Sequence, residues 1–255
     1  MFHPGDKINI QRINSGKSAR MKGKLRWCMT ACFLCVMLTP LMAQPSFQGL
    51  GSFMSSIPAV DLSPDGQYVA GVGDDGVPVL WSQSSGVLSI GTQIGTAAGV
   101  AADGNAVSGT LGAGINQAFR WALSGGMAML GFLPGGNVSQ SAAISDDGQV
   151  VVGFSTSAFA PSGEGFVWTA GGGMTGVGDL PGGNVYSSAT DVSGDGNVVV
   201  GWSRSTDNYG EAFRWSAGTM VGLGMLPGFT SSDARAVSYD GSVIVGKSSN
   251  GMTYE

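Results

Sequence analysis

The apolar positions between residues 44 and 255 fall in short runs, which Gly, Pro, Asn and Asp interrupt. Val and Ile cluster directly after Asp-Gly pairs, as expected for strands that follow tight turns. No stretch of this region keeps a helical period over about ten residues without a Gly. The pattern therefore predicts an all-β structure.

Three sequence blocks recur in a fixed order along this region. The first block joins an Asp-Gly turn to a Val-rich strand and is clearest in Thr190–Gly201. The second block is Ala-Phe-Arg-Trp in Ala118–Trp121 and Ala212–Trp215, and related copies also end in Trp. The third block, with a Leu-Pro-Gly-Gly-Asn core, is Leu130–Asn137. The repeated turn and indole positions are Asp65, Gly66, Asp103, Gly104, Asp147, Gly148, Asp195, Gly196, Asp240, Gly241, Trp81, Trp121, Trp168 and Trp215.

The distance between successive Asp-Gly pairs sets the size of the repeating unit, which lies between 38 and 48 residues. Each period holds three or four short apolar runs. A repeat of about 40 to 50 residues with four strands is typical of a β-propeller blade. We therefore predict a β-propeller, or a partial propeller, of about four to five four-stranded blades.

The cycle of three blocks resembles the repeats of the bacterial extracellular HAF-repeat family, named for a His-Ala-Phe version of the second block. In this chain Gln117 and Glu211 stand at the position of that His. The resemblance covers roughly residues 47–255. It implies a secreted or surface protein without an established catalytic role. The copy Leu62–Gly66 also resembles the propeller repeats of TolB-like periplasmic proteins.

Residues 1–43 have a different composition from the rest of the chain. Residues 17–26 are basic, and Trp27–Ala43 follows without a charge. This is the layout of a secretory signal peptide, whose helix precedes the repeats and is cleaved after Ala43. Met21 is an alternative start, because Met21–Ala43 alone has the full layout. An uncleaved anchor helix is the competing interpretation, although the apolar run is shorter than the ~20 residues that span a bilayer.

We therefore divide the chain into a leader, residues 1–43, and a repeat domain, residues 44–255, that is secreted, periplasmic or held at the cell surface. The leader contains His3, Cys28, Cys32 and Cys35, and the repeat domain contains no His or Cys. Catalytic triads with His, soft-metal sites and disulfide bonds are thereby excluded from the domain. No membrane span is expected once the leader is removed.

The repeat domain carries five basic and sixteen acidic residues, which disfavours binding to nucleic acid. No cofactor is expected either. Gly71–Gly76 matches a dinucleotide motif by spacing, but a strand containing Pro follows it instead of the helix that such a motif requires.

Two copies of the turn begin with the residue pattern of a calcium-binding loop. This pattern includes Asp61 and Asp65 in one copy and Asp191 and Asp195 in the other. The bidentate Glu that an EF-hand needs at its twelfth position is Val or Trp here, so an EF-hand is excluded. The four carboxylates are candidates for a shallow calcium site built from several blades. In the competing interpretation each turn Asp accepts hydrogen bonds from its own hairpin. The Phe and Trp of the second block share one strand face and are expected to pack between blades.

The two ends of the repeat region leave two interpretations of its architecture open. Phe47–Phe53 aligns with the third block, and Gly251–Glu255 aligns with the segment that precedes an Ala-Phe-Arg-Trp block. Either the opening strand joins the last hairpin and closes a five-bladed ring, or the chain is a truncated arc of a larger propeller, which we favour. An incomplete ring leaves open sheet edges, and we expect self-association through them.

The sequence assigns no catalytic residue, because the repeated positions are those of turns and packing. We expect a non-catalytic scaffold or recognition module of the bacterial envelope, with a protein or glycan as partner. Loops that differ between blades, such as Ser155–Glu164 and Ser203–Gly210, are the expected binding elements. One alternative is a periplasmic or extracellular carbohydrate-active hydrolase with paired carboxylates. Another is a truncated gene product without a selected function.

Overall fold

The computed structural model describes residues 60–112, 116–182, 184–205 and 210–250, which belong to one compact unit of the chain. The predicted leader, its cleavage site after Ala43 and the segment Phe47–Phe53 lie outside these residues. None of the described residues belongs to a helix that is long and apolar enough to cross a membrane.

Eighteen strands in the described residues form five antiparallel sheets, each a meander of consecutive strands. Sheet 1 holds β1 (Asp61–Leu62), β2 (Tyr68–Val72), β3 (Pro78–Ser82) and β4 (Gly86–Ser89). Sheet 2 holds β5 (Gly95–Val100), β6 (Ala106–Leu111), β7 (Gln117–Ala122) and β8 (Gly126–Met129). Sheet 3 holds β9 (Ser139–Ile144), β10 (Val150–Ser155), β11 (Glu164–Thr169) and β12 (Gly173–Gly178). Sheet 4 holds β13 (Ser187–Val192), β14 (Val199–Arg204), β15 (Gly210–Ser216) and β16 (Thr219–Gly222). Sheet 5 holds β17 (Ser231–Val237) and β18 (Ile244–Ser249).

The prediction of an all-β fold made of four-stranded blades is confirmed by sheets 1 to 4. The first strands of all five described sheets surround one central channel, so the sheets are arranged as the blades of a propeller.

Asp-Gly turns join the first and second strands of the described sheets. In sheet 4 the Ser193 hydroxyl donates to Asp195 Oδ1 at 2.5 Å and accepts the Val198 N–H at 2.9 Å. The same carboxylate oxygen accepts the Asn197 N–H at 3.0 Å. Gly196 has a φ of +74°, in the left-handed region that favours glycine. The same Ser-to-Asp hydrogen bond recurs in sheets 1, 3 and 5.

A β-bulge interrupts the first strand of sheets 2 to 5 and brings its backbone close to a Gly of the second strand. A Cβ atom added at Gly153 would lie 2.0 Å from the carbonyl oxygen of Gln140. One added at Gly201 would lie 2.0 Å from the carbonyl oxygen of Ser188. In sheets 2 to 5 the Gly of the second strand is therefore required by the close approach of two strands.

The hydrophobic cores lie between consecutive sheets. Phe119, Phe166 and Phe213 on the third strands are fully buried, and each lies opposite the bulge Gly. Trp121 follows Phe119 on the same face and packs against apolar residues of sheet 1. Burial of a large aromatic side chain stabilises a fold by about 1.5–3 kcal/mol, so the three interfaces between sheets 1 and 4 are stabilised by aromatic residues of the second block.

Buried serines join each sheet to the one before it, from sheet 3 onward. The Ser139 hydroxyl accepts the Ala118 N–H at 2.9 Å and donates to the carbonyl of Gly131 at 2.7 Å, both in sheet 2 or the loop after it. Ser187 and Ser232 make the corresponding pair of hydrogen bonds to the preceding blade. These contacts fix neighbouring blades in register.

Candidate functional site

The central channel is a cavity of about 560 Å³ between the first strands of the five described sheets. Small side chains line part of it, because the bulge positions of sheets 2 and 3 are Ala98 and Ala142. The polar side chains on its wall are those of Asp61, Asp146, Thr190, Asp191, Arg235 and Tyr239.

Two of the channel carboxylates are hydrogen-bonded to the backbone of the next described blade. Asp61 Oδ2 accepts the N–H of Val100 at 2.8 Å, and Asp191 Oδ2 accepts the N–H of Val237 at 2.8 Å. Asp191 Oδ1 also accepts the N–H of Val192 at 2.8 Å. Both side chains therefore tie adjacent blades together at the channel wall.

The channel raises the pKa of its carboxyl groups. Burial is the main cause at Asp61, Asp146 and Asp191, and it outweighs the hydrogen bonds that lower the pKa of Asp61 and Asp191. Repulsion from Asp147 and Asp61 adds to the rise at Asp146, and repulsion from Asp61 and Asp146 adds to the rise at Asp191. The one basic side chain of the cavity lining, Arg235, forms an ion pair with Asp233 at 2.5 Å. The channel wall therefore has an acidic character.

The structure separates the four candidate calcium ligands into two pairs. Asp61 and Asp191 lie on the channel wall, whereas Asp65 and Asp195 lie in their turns and bind the neighbouring Ser63 and Ser193. Within the described ranges, no group of three His, Cys, Asp or Glu side chains has a geometry suited to a metal ion. The four aspartates thus act through backbone and hydroxyl hydrogen bonds in this fold.

An aromatic row that the sequence patterns did not reveal lies at the other end of the strands, away from the Asp-Gly turns. The rings of Phe154 and Tyr186 are 6.1 Å apart and those of Tyr186 and Trp202 are 5.0 Å apart, both edge to face. The Arg204 guanidinium lies 5.0 Å from the centre of the Tyr186 ring, within the range of a cation–π contact. We call Phe154, Phe159, Tyr186, Trp202 and Arg204 the aromatic row.

Phe159 lies in the loop 156–163, which contacts the aromatic row and is held by hydrogen bonds. The Ser157 hydroxyl donates to Glu164 Oε1 at 3.0 Å and accepts the Ala160 N–H at 2.9 Å. The loop also contacts the row directly, because a Cβ atom added at Gly163 would lie 1.9 Å from the Phe154 ring. The Phe159 side chain at its tip is 88% exposed. The anchored backbone of this loop therefore presents the Phe159 ring to solvent.

The loop Ser155–Glu164, predicted as a binding element, therefore lies beside the aromatic row. The second predicted loop, Ser203–Gly210, starts next to Trp202, and its residues 206–209 lie outside the described residues. The sequence signal for the row is the residue after the Gly that recurs in the second strand of each sheet, which is Phe154 in sheet 3 and Trp202 in sheet 4. Sequence alone could not place Tyr186 between them, because it precedes its strand in a loop.

The five sheets and their shared channel define a propeller-type fold, and solved structures with the same fold are known. The chain is similar to TolB from Acinetobacter baumannii, with 18% sequence identity and a TM-score of 0.52 over 78% of this chain and 53% of that chain. It is also similar to putative TolB from Agrobacterium tumefaciens, with 16% identity and a TM-score of 0.52 over 78% of this chain and 72% of that chain. The chain thus spans about half the length of the Acinetobacter protein. No family model and no curated protein matches it.

Proposed function

We propose that this protein is a non-catalytic recognition module of the bacterial envelope, exported by its leader and binding through the aromatic row. The observation that carries the proposal is the anchored loop that holds Phe159 in solvent and contacts Phe154, whose ring packs against Tyr186. Exposed aromatic and Arg side chains are enriched among the residues that dominate binding energies. The basic and apolar layout of residues 1–43 and the resemblance to extracellular repeat proteins support the location.

The repeated polar groups support a scaffold rather than a reaction centre. The turn aspartates accept hydrogen bonds from their own turns, and the buried serines hold adjacent sheets together. These groups recur from blade to blade, whereas within the described ranges the aromatic row occurs only between sheets 3 and 4. The repeated groups therefore build the scaffold, and the aromatic row, which is not repeated, is the surface that binds the partner.

The experiment measures binding of the full chain to purified envelope fractions by co-sedimentation. We expect Phe159→Ala to weaken binding by about tenfold or more, since a fully exposed anchor ring is lost. The melting temperature should not change, because the side chain is 88% exposed. Leu123→Ala, at a 62% exposed position in the β7–β8 turn, is the matched control. Equal binding of Phe159→Ala and wild type would refute the proposal.

Treatment of the same envelope fraction before the assay identifies the class of partner. Protease digestion of the fraction should abolish binding if the partner is a protein. Digestion of its polysaccharides should abolish binding if the partner is a glycan.

The channel favours a second candidate, a carbohydrate-active hydrolase. Glycosidases use two carboxyl groups in a cleft, one with a raised pKa, and burial raises the pKa of Asp146 on the channel wall. Asp61 and Asp191 hold backbone N–H groups, so Asp146 is the residue to test. Polysaccharide hydrolysis by the wild type that disappears in Asp146→Asn would replace recognition as the function.

A further inference from the structure

The five repeated Asp-Gly turns share one backbone geometry but differ in the hydrogen bonds that hold the carboxylate. In each turn the glycine has a φ between +68° and +74°, and its N–H donates to the carbonyl three residues before it. In sheets 1, 3, 4 and 5 a serine hydroxyl also donates to Oδ1 of the aspartate. In sheet 2 Ala101 stands at the position of that serine, so Asp103 has no hydroxyl donor there.

Asp103 and Asp195 are a matched pair in every other respect that concerns the carboxylate. Both are exposed, and both begin the tripeptide Asp-Gly-Asn. The Asn105 N–H donates to Asp103 Oδ1 at 2.9 Å, and its side-chain amide donates to Oδ2 at 2.7 Å. The corresponding distances from Asn197 to Asp195 are 3.0 Å and 2.9 Å. The two turns therefore differ by the serine hydroxyl.

An aspartate that precedes a glycine can rearrange by a reaction that needs only water. The glycine nitrogen, which has no Cβ beside it, attacks the aspartate Cγ. The new N–Cγ bond replaces a Cγ–O bond, and water leaves with the amide proton, so a succinimide ring is formed. Water then adds to the ring at the aspartate's own backbone carbonyl and returns a proton to the nitrogen. The product is isoaspartate, in which the chain runs through the side chain and the overall composition is unchanged.

The serine hydroxyl opposes the first step of this reaction. In sheet 4 the Ser193 hydroxyl accepts the Val198 N–H at 2.9 Å and donates to Asp195 Oδ1 at 2.5 Å. The carboxylate must break this charge-assisted hydrogen bond before it can turn toward the glycine nitrogen. The same hydrogen bond is the largest cause of the lowered pKa of Asp195, and an ionised carboxylate is a poor electrophile.

We propose that Asp103-Gly104 is a modification site, where the folded protein forms isoaspartate faster than in the four turns that contain the serine. The modification would act on the contact between sheets 1 and 2. Gly104 lies against the Tyr68 ring, since a Cβ atom added to it would lie 2.3 Å from Tyr68 Cδ1. Tyr68 packs against the core that these two sheets share. The additional backbone carbon of isoaspartate therefore displaces Gly104 from this ring.

A sixth Asp-Gly pair, Asp75-Gly76, lies in the turn between β2 and β3 and gives a second test of the same rule. Gly73 stands at the position of the serine, and Asp75 Oδ1 accepts the N–H of Val77 at 3.1 Å. We expect this pair also to isomerise faster than the pairs held by serine. A rate at Asp75 as low as the rate at Asp195 would contradict the role of the hydroxyl.

The experiment incubates the full chain at neutral pH in heavy-oxygen water and then separates its proteolytic peptides by liquid chromatography with mass spectrometry. The hydrolysis step adds one heavy oxygen, and isoaspartyl peptides separate from aspartyl peptides. Isoaspartate should form about tenfold faster at Asp103 than at Asp195, because no hydrogen bond from a hydroxyl to the charged group has to break. Equal rates at the two positions would overturn the proposal.

The same incubation in denaturant separates the effect of the fold from that of the local sequence. The rates at Asp103 and Asp195 should become equal, because both unfolded segments contain Asp-Gly-Asn. A difference that persists in denaturant would belong to the flanking residues and would also overturn the proposal.

Reciprocal variants move the hydroxyl between the two turns. Ala101→Ser should lower the rate at Asp103 to that of Asp195, and Ser193→Ala should raise the rate at Asp195. In each variant the unchanged turn is the control within the same sample, and thermal melts establish that the protein is folded. An unchanged rate at Asp103 in folded Ala101→Ser would overturn the proposal. The site uses no residue of the aromatic row, so its outcome is independent of the recognition proposal.

Discussion

Three of the turn aspartates, Asp65, Asp195 and Asp240, are held as anions by hydrogen bonds within their own turns. At Asp240 the hydroxyls of Ser242 and Ser238 and the N–H of Ser242 lower the pKa from 3.8 to about 2. The pKa of Asp195 and of Asp65 is lowered for the same kind of reason. A carboxyl group with a lowered pKa in the folded state stabilises the fold above its ordinary pKa, and this contribution is lost as the pH falls through the folded value.

The first prediction concerns this acid sensitivity. The free energy of unfolding should fall between about pH 4 and pH 2, as Asp240 becomes protonated. Asp240→Asn keeps an acceptor oxygen and removes the titrating group, so its free energy of unfolding should change less over this range. Denaturant titrations at a series of pH values measure the difference. Parallel curves for the variant and the wild type would contradict the assignment.

A second prediction tests the close approach at the bulge. Gly153→Ala should destabilise the fold by about 2–4 kcal/mol, because the new Cβ would meet the carbonyl oxygen of Gln140 at 2.0 Å, with the Phe166 ring 3.0 Å away. Gly171→Ala in the same sheet is the control, since no atom lies within 4 Å of its added Cβ. Chemical denaturation should separate the two variants clearly. Equal stabilities would show that the strands move apart at little cost.

At the scale of elements, the channel carboxylates connect one blade to the next. Asp191 on β13 accepts the N–H of Val237 at the end of β17. Because burial raises the pKa of Asp191, its ionisation opposes folding, and the stability from the protonated form is lost as the pH rises through the folded pKa. The hydrogen bond from the Val237 N–H to Asp191 therefore holds sheet 5 in place, while the partly buried charge of Asp191 lowers the stability of the fold.

The third prediction separates these two effects. Asp191→Ala removes the acceptors of Val192 and Val237 and should cost about 1–3 kcal/mol at neutral pH, the usual penalty for unsatisfied backbone donors. Asp191→Asn keeps one acceptor and removes the charge, so it should cost less. Hydrogen exchange should be fastest at Val237 in the Ala variant. An unchanged exchange rate there would argue against the contact between blades.

Local patterns allowed most of the elements to be predicted. The Asp-Gly pairs fall in the turns between first and second strands because Ser, Asp and Gly build that turn within a short local segment, as in Ser193–Val198. The four strands per period follow from alternating apolar runs and turn residues. The serine contacts between sheets, such as that from Ser139 to Ala118, join residues 21 positions apart and, like the bulges, leave no short-range pattern.

At the scale of the whole molecule, repetition explains both the fold and the position of its sites. Equivalent positions meet around the axis, so Asp61 and Asp191, which stand 130 residues apart, share one channel wall. The aromatic row arises between sheets 3 and 4, where Phe154 and Trp202 replace residues of other types. Sequence repeats could predict the first arrangement, but contacts between non-repeated residues of neighbouring blades required coordinates.

Hydrogen-exchange footprinting of the full chain, alone and bound to the envelope fraction, tests the account most directly. Recognition through the aromatic row predicts new protection at residues 154–164 and 202–205, with the backbone around Tyr186 protected as well. The channel strands should exchange as before. Protection confined to the channel residues near Asp146, or no protection anywhere upon binding, would contradict the account.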